Sequence, residues 1–332
     1  MSVSTLLFLS QYLIVYIGIP LLILGLIGGF LSLKTFRENS CAFYLTIMSF
    51  TNIGQLLTGL LTRLVINITG SNWTLISPFY CKFRWYCINV CALTSFTCIS
   101  LATLDQFFAT SAKPKWQQLS NIRLSRYACL LFISMWLICE SSTLIFYHHV
   151  ISPGTGFISC VATNLIYRNY VTYGLLLILT GLLPITITIL FGLLAYRHIR
   201  QIPHRAVPLI RRELDKQLTV MVLVQVIFNF CLIAPNTVVN VYTQTVGTSF
   251  DPMIAAQTQL VLSVATCLYY AYFAVNIPRM SFTVSFVFSF LVSILHLYLC
   301  IPTISSTTDV HNGEQVFRRH NQVDLDRNQL AP

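Results

Sequence analysis

Charge is missing from this chain over long stretches, and the stretches recur. No Asp, Glu, Lys or Arg lies between Met1 and Lys34, and Tyr12 to Leu33 is densely apolar. Phe43 to Leu61 is a second apolar run, ended by Arg63. Trp85 to Leu104 lies between Arg84 and Asp105, and Tyr127 to Tyr147 is broken only by Glu140. Val171 to Tyr196 is closed by Arg197, Leu218 to Val241 follows Lys216, and Ile254 to Val275 lies between Asp251 and Arg279. A helix needs about 20 apolar residues to cross roughly 30 Å of hydrocarbon. The pattern therefore predicts an all-α, seven-transmembrane helix bundle over residues 1–280.

Composition excludes most alternatives. Charged residues make up 9% of the 332 and hydrophobic ones 55%, against about 25% charged in a soluble protein. A soluble enzyme cannot cover its surface from that stock. The net charge of +10 would suggest nucleic acid in a soluble chain; here it suggests basic cytoplasmic loops and no nucleic-acid partner. The 11 Cys form no CxxC pair, so neither a metal centre nor a cofactor is expected. Most sit within apolar runs, where a thiol behaves as a small hydrophobe.

The basic residues orient the bundle. Lys34 and Arg37 follow the first run, and Lys113, Lys115, Arg123 and Arg126 follow the third. Arg197, Arg200, Arg205, Arg211, Arg212 and Lys216 follow the fifth, and Arg279 follows the seventh. The opposite loops hold only Arg63, Lys82, Arg84 and Arg168. The richer side should be cytoplasmic, which places the N-terminus outside. Two glycosylation sequons, at Asn67 and Asn72, fall in a loop assigned outside by that rule.

Several residues then fall in register with the topology. Cys81 stands at the outer start of the third helix and Asp105-Gln106-Phe107 at its inner end, 25 residues from Cys81 to Gln106, or about 37 Å of helix. Trp136 lies inside the fourth helix, Cys160 between the fourth and fifth, Pro184 inside the fifth and Pro235 inside the sixth. This order resembles the rhodopsin-like family of G-protein-coupled receptors over roughly residues 10–275. The resemblance implies a disulfide between Cys81 and Cys160, packing or hinge roles for Trp136, Pro184 and Pro235, and an inner-face switch at Asp105, Gln106, Phe107 and Asp215.

The departures from the family are specific. Its inner triplet is usually Asp-Arg-Tyr, whereas Gln106 carries no cation to pair with Asp215. Asn52 stands where the second helix usually has Asp, so sodium binding beside Ser95 is not expected. Ile233 replaces a Trp of the sixth helix, and the seventh ends Tyr269-Tyr270-Ala271-Tyr272-Phe273 instead of Asn-Pro-x-x-Tyr. The position where amine receptors carry Asp is Ile88, which disfavours biogenic amines, and the seventh run has no Lys for a retinal Schiff base.

Candidate ligand-pocket residues are Arg84, Trp85 and Asn89 on the third helix, with Asn236 and Asn240, spaced i,i+4, on the sixth. Arg84 suits an uncharged or acidic ligand, or simply marks the interface. Glu140 is the acid that a proton-coupled transporter would use, or a hydrogen-bonded acid facing another helix. Phe282 to Ile301 is a further apolar run without Asp, Glu, Lys or Arg. It is long enough for an additional C-terminal membrane helix at 281–301; a membrane-embedded inner-face helix is the rival reading. Residues 302–332 read as a polar, disordered tail. The leading expectation is a plasma-membrane receptor, not an enzyme, that binds an extracellular ligand and couples to a heterotrimeric G protein. The alternatives are a receptor-like membrane protein without coupling, or a small transporter.

Overall fold

The computed structural model describes residues 2–35, 40–71, 73–111, 113–151, 158–200, 230–245 and 252–274. They belong to the first of two units, which divide at Met280 and Ser281. Asn72, Asp215 and the apolar run at 282–301 lie outside the described residues.

The structure is about 91% helical. Helix α1 spans Val3–Thr35. The second run becomes a continuous 40–69 helix made of α2 (Ser40–Gln55), a π-helical segment π1 (Leu56–Leu61) and α3 (Thr62–Thr69). After the short α4 (Trp73–Ile76) comes α5 (Pro78–Thr110), then α6 (Pro114–Gln117), α7 (Ile122–Cys139) and α8 (Ser141–Phe146). Strands β1 (Tyr147–Ile151) and β2 (Ile158–Ala162) form an antiparallel hairpin. A second π-helical segment, π2 (Tyr170–Leu182), joins α9 (Leu165–Asn169) to α10 (Leu183–Arg200). Residues 230–245 form α11, and α12 spans Pro252–Ala274.

Local chemistry sets the ends. Ser77 caps α5 by accepting from the Tyr80 amide, with Pro78 at the first helical position, where its missing N–H costs nothing. Asn121 caps α7 through the Arg123 amide, and Asn164 caps α9 through the Ile166 and Tyr167 amides. Gly70 ends α3 at φ 68°, donating its N–H to the Ile66 carbonyl. That left-handed cap favours glycine because no Cβ opposes it.

Among the described residues, five helical spans are long and apolar enough to cross a membrane: Val3–Leu33, Pro78–Thr110, Ile122–Phe146, Leu165–His198 and Pro252–Ala274. The 40–69 helix is not among them. It carries Asn52 and Gln55, both buried in the bundle. The expected sixth crossing is described only over 230–245.

The packing runs inside out compared with a soluble protein. Along α1, Phe8 is 68% exposed and Phe30 59%, while Ser10 and Ser32 are 3% exposed. Tyr127, Leu130, Leu131 and Ile138 of α7 also face outward. Apolar exposure of this extent on a folded chain marks an interaction surface. With apolar helices of spanning length beneath it, the architecture is compatible with an all-α, multi-pass membrane protein.

Helix α5 is the central post, with 67% of its apolar window buried. It packs along α2, α7 and α10, while α1 packs on α2 and α12. One core cluster joins Tyr44, Leu45 and Met48 of α2 to Ile99 and Ala102 of α5 and Cys129 of α7. Another joins Leu93, Trp136 and Leu175. A polar seam crosses the middle: Ser95 Oγ donates to Asn52 Oδ1 at 2.5 Å, and Gln55 Nε2 donates to the Tyr269 hydroxyl at 3.2 Å.

Candidate functional site

One end of the bundle is organised by the hairpin. Cys160 on β2, opposite His149 of β1, is disulfide-bonded to Cys81 in the first turn of α5, with the Cα atoms 6.1 Å apart. That spacing suits the bond without backbone movement. A ring nitrogen of His149, Nε2, lies 2.7 Å from the Thr74 carbonyl oxygen, which ties the hairpin to α4 as well. Beneath the strands, Trp85 stacks on Tyr147 at 5.6 Å, and Tyr147 meets Tyr167 edge-on at 6.2 Å. Burial pushes the Tyr147 hydroxyl well above the ordinary tyrosine range.

Deeper in, Glu140 sits at the α7–α8 junction, fully buried at 0% exposure. Its Oε2 accepts from Asn89 Nδ2 at 3.0 Å and from the Thr143 hydroxyl at 3.1 Å. The Thr143 hydroxyl is also 2.8 Å from that of Tyr167. The network thus joins α5, the α7–α8 junction, α8 and α9. Oε1 has no hydrogen-bond partner, although the Tyr170 hydroxyl of π2 is a near neighbour. Asn89 and Trp85, four residues apart, therefore share the face of α5 that looks toward the hairpin and Glu140.

Arg84 points elsewhere. Its Nε donates to the Thr58 carbonyl at 3.2 Å and its Nη2 to the Gly59 carbonyl at 3.5 Å. Both acceptors lie in π1. The same carbonyls also accept from Thr62, that of Thr58 from its hydroxyl at 2.9 Å and that of Gly59 from its N–H. Gly59 is closely approached here: a Cβ would stand 2.5 Å from the Tyr270 hydroxyl oxygen and 2.8 Å from its ring. Arg84 is only 9% exposed, and no carboxylate pairs with it among the described residues.

Arg84 also borders a cavity of about 680 Å³ shared with α1, α3 and α12. Arg63 of α3 lines the same cavity, with its Nε buried and without a hydrogen-bond partner. Asn67 lines it too, and donates its side-chain amide to the Arg63 carbonyl at 2.8 Å. The sequence shows Arg63 as the end of an apolar run and as one of the few charges on the outer loops. Its available signal was the i,i+4 spacing to Asn67, which places both on one helix face.

The sequence-derived pocket residues thus fall into separate groups. Arg84 belongs to the α1/α3/α5/α12 cavity, whereas Trp85 and Asn89 belong to the hairpin side. Asn240 Nδ2 donates to Asn236 Oδ1 at 2.9 Å within α11, so those two pair with each other.

At the opposite end of α5, Asp105 and Gln106 are buried. Phe107 stacks on His198 at 5.2 Å and meets Phe191 edge-on at 5.3 Å, both on α10. It therefore joins α5 to α10 through rings. Trp136 donates its indole N–H to the Thr97 hydroxyl at 3.0 Å. Pro184 stands just past the change from π2 to α10, and Pro235 lies inside α11. No family model matches the sequence, and no characterised protein matches it at a significant level.

Proposed function

We propose that this protein is a cell-surface receptor that binds an extracellular ligand at the hairpin end and signals through a heterotrimeric G protein at the other. The observation that carries the reading is the hairpin pinned to the third crossing by Cys81–Cys160. A covalent tether at the start of the central helix fixes the mouth of the bundle. The same helix continues to Asp105, Gln106 and Phe107 at its far end. A ligand shifts such a bundle only by binding one arrangement of it better than another. The α5–α10 ring contact at Phe107 is where a change at one end is delivered at the other.

Gln106 favours a second reading, a receptor-like protein that takes a ligand without engaging a G protein. Ligand-evoked nucleotide exchange on purified G protein separates the two. A library screened against cells carrying a promiscuous G-protein reporter should yield an agonist. Gln106→Arg should change basal or evoked exchange, because it supplies a cation that can pair with Asp215. Identical exchange in parent and variant, with no agonist found, would favour the second reading.

A further inference from the structure

We infer that the cavity between α1, α3, α5 and α12 receives an anionic group, a carboxylate or phosphate, carried on an apolar body. Two guanidinium groups, Arg63 and Arg84, line it. Arg84 spends donors on the Thr58 and Gly59 carbonyls, which carry only partial charge. Arg63 Nε is buried with no partner at all. Among the described residues no carboxylate lines the cavity: Glu140 lies on the hairpin side with Asn89 and Thr143, and Asp105 lies at the opposite end of α5.

Buried charge is costly unless it is paired. Arg84 is buried and Arg63 half-buried with a buried Nε, and two cations facing one space without an acid among its described lining residues define a site that an anion completes. Guanidinium groups match carboxylate and phosphate oxygens with two parallel hydrogen bonds. Val3, Leu7 and Ile14 of α1 supply the apolar wall. The volume of about 680 Å³ falls within the range of small-molecule sites. An inorganic anion would leave that wall unused, whereas an amphiphile covers it. Binding itself does not depend on G-protein coupling; only the naming of the occupant as the signalling ligand rests on the receptor reading.

The test uses the full chain in phosphatidylcholine nanodiscs, with octanoate, octyl phosphate and neutral octanol as probes and the thermal unfolding midpoint as readout. Both anions should raise the midpoint and octanol should not. Arg63→Gln and Arg84→Gln should each weaken the apparent affinity by about ten-fold or more, the effect of losing a charged hydrogen-bond partner. Arg63→Lys and Arg84→Lys keep the charge, so they preserve part of the response even where a Gln variant fails to fold. Equal stabilisation by octanol, or an anion response unchanged in all four variants, overturns the inference. Asp251 directly precedes the cavity-lining Pro252 and lies outside the described residues. Asp251→Asn is therefore included: a response that appears only in that variant means the chain supplies its own anion, and also overturns it. Repeating the assay with phosphatidic acid in the disc identifies the source. An arginine-dependent rise without added probe marks a lipid headgroup, and a persisting octanoate response marks a free amphiphile. Because nothing in this assay requires a G protein, its failure and the failure of coupling are read separately.

Discussion

Glu140 has no water to turn to if its partners are removed. Asn89 and Thr143 both donate to Oε2. A glutamine can place its carbonyl oxygen there and its amide group toward Tyr170. Glu140→Gln should therefore stay within about 1 kcal/mol of the parent, while Glu140→Ala leaves two donors unpaired beside a cavity and should cost about 2–4 kcal/mol. Thermal unfolding of the detergent-purified protein checks both. Equal loss in the two variants would mean that the carboxyl group itself is needed. Gly59→Ala should cost about 1–3 kcal/mol by overpacking against Tyr270, read in the same assay; an unchanged midpoint would show that the α12 ring yields freely. At this scale the sequence revealed each unusual residue but not its partner. Asn89 and Glu140 are 51 positions apart, and no periodicity connects them. Arg84 and Arg63 were visible as charges near their helix ends, yet their shared cavity depends on how four helices meet.

At the level of elements, the apolar runs that fall within the described residues are largely helical, because length and charge-free composition constrain a membrane segment strongly. The hairpin was not foreseen. Its strands are five residues each, so period-2 alternation had little room to register. Pro153-Gly154, a turn-prone dipeptide in the sequence between them, was an available signal. The π segments leave no compositional trace. The hairpin depends on its tether: Cys81–Cys160 spans 79 positions, and closing a loop of that length contributes about 4 kcal/mol in the chain-entropy picture. Cys81→Ser or Cys160→Ser should sharply reduce surface delivery. In the parent, both thiols should resist alkylation until reduced, as mass spectrometry of the unreduced protein reads directly. Free alkylation of both would remove the tether from the account. Asn67 belongs to the same scale: its amide is held by the Arg63 carbonyl inside a helix. Glycosidase treatment of Asn67→Gln should therefore give the same mobility shift as the parent.

For the whole molecule, the excess of Lys and Arg on one set of loops predicts an N-terminus outside the cell. An epitope tag before Met1 should stain without permeabilisation; staining only after permeabilisation would invert the bundle. A second tag after Pro332 divides the two readings of 282–301, since an eighth crossing exposes it and an inner-face helix hides it. Inside-out packing was the most legible property at this scale, because a chain with 9% charged residues has little else to present to its surroundings. The depth of the central post has a consequence of its own. At 33 residues, α5 is about 50 Å long, against roughly 30 Å of hydrocarbon. Leaning alone would require a slope beyond about 40°, the steep limit for membrane helices. Part of α5 must therefore stand clear of the lipid tails, and the share that does so grows as the bilayer thins. In a bilayer several ångströms thicker, less of the helix would protrude, which makes membrane thickness a variable in how far Phe107 and its neighbours reach.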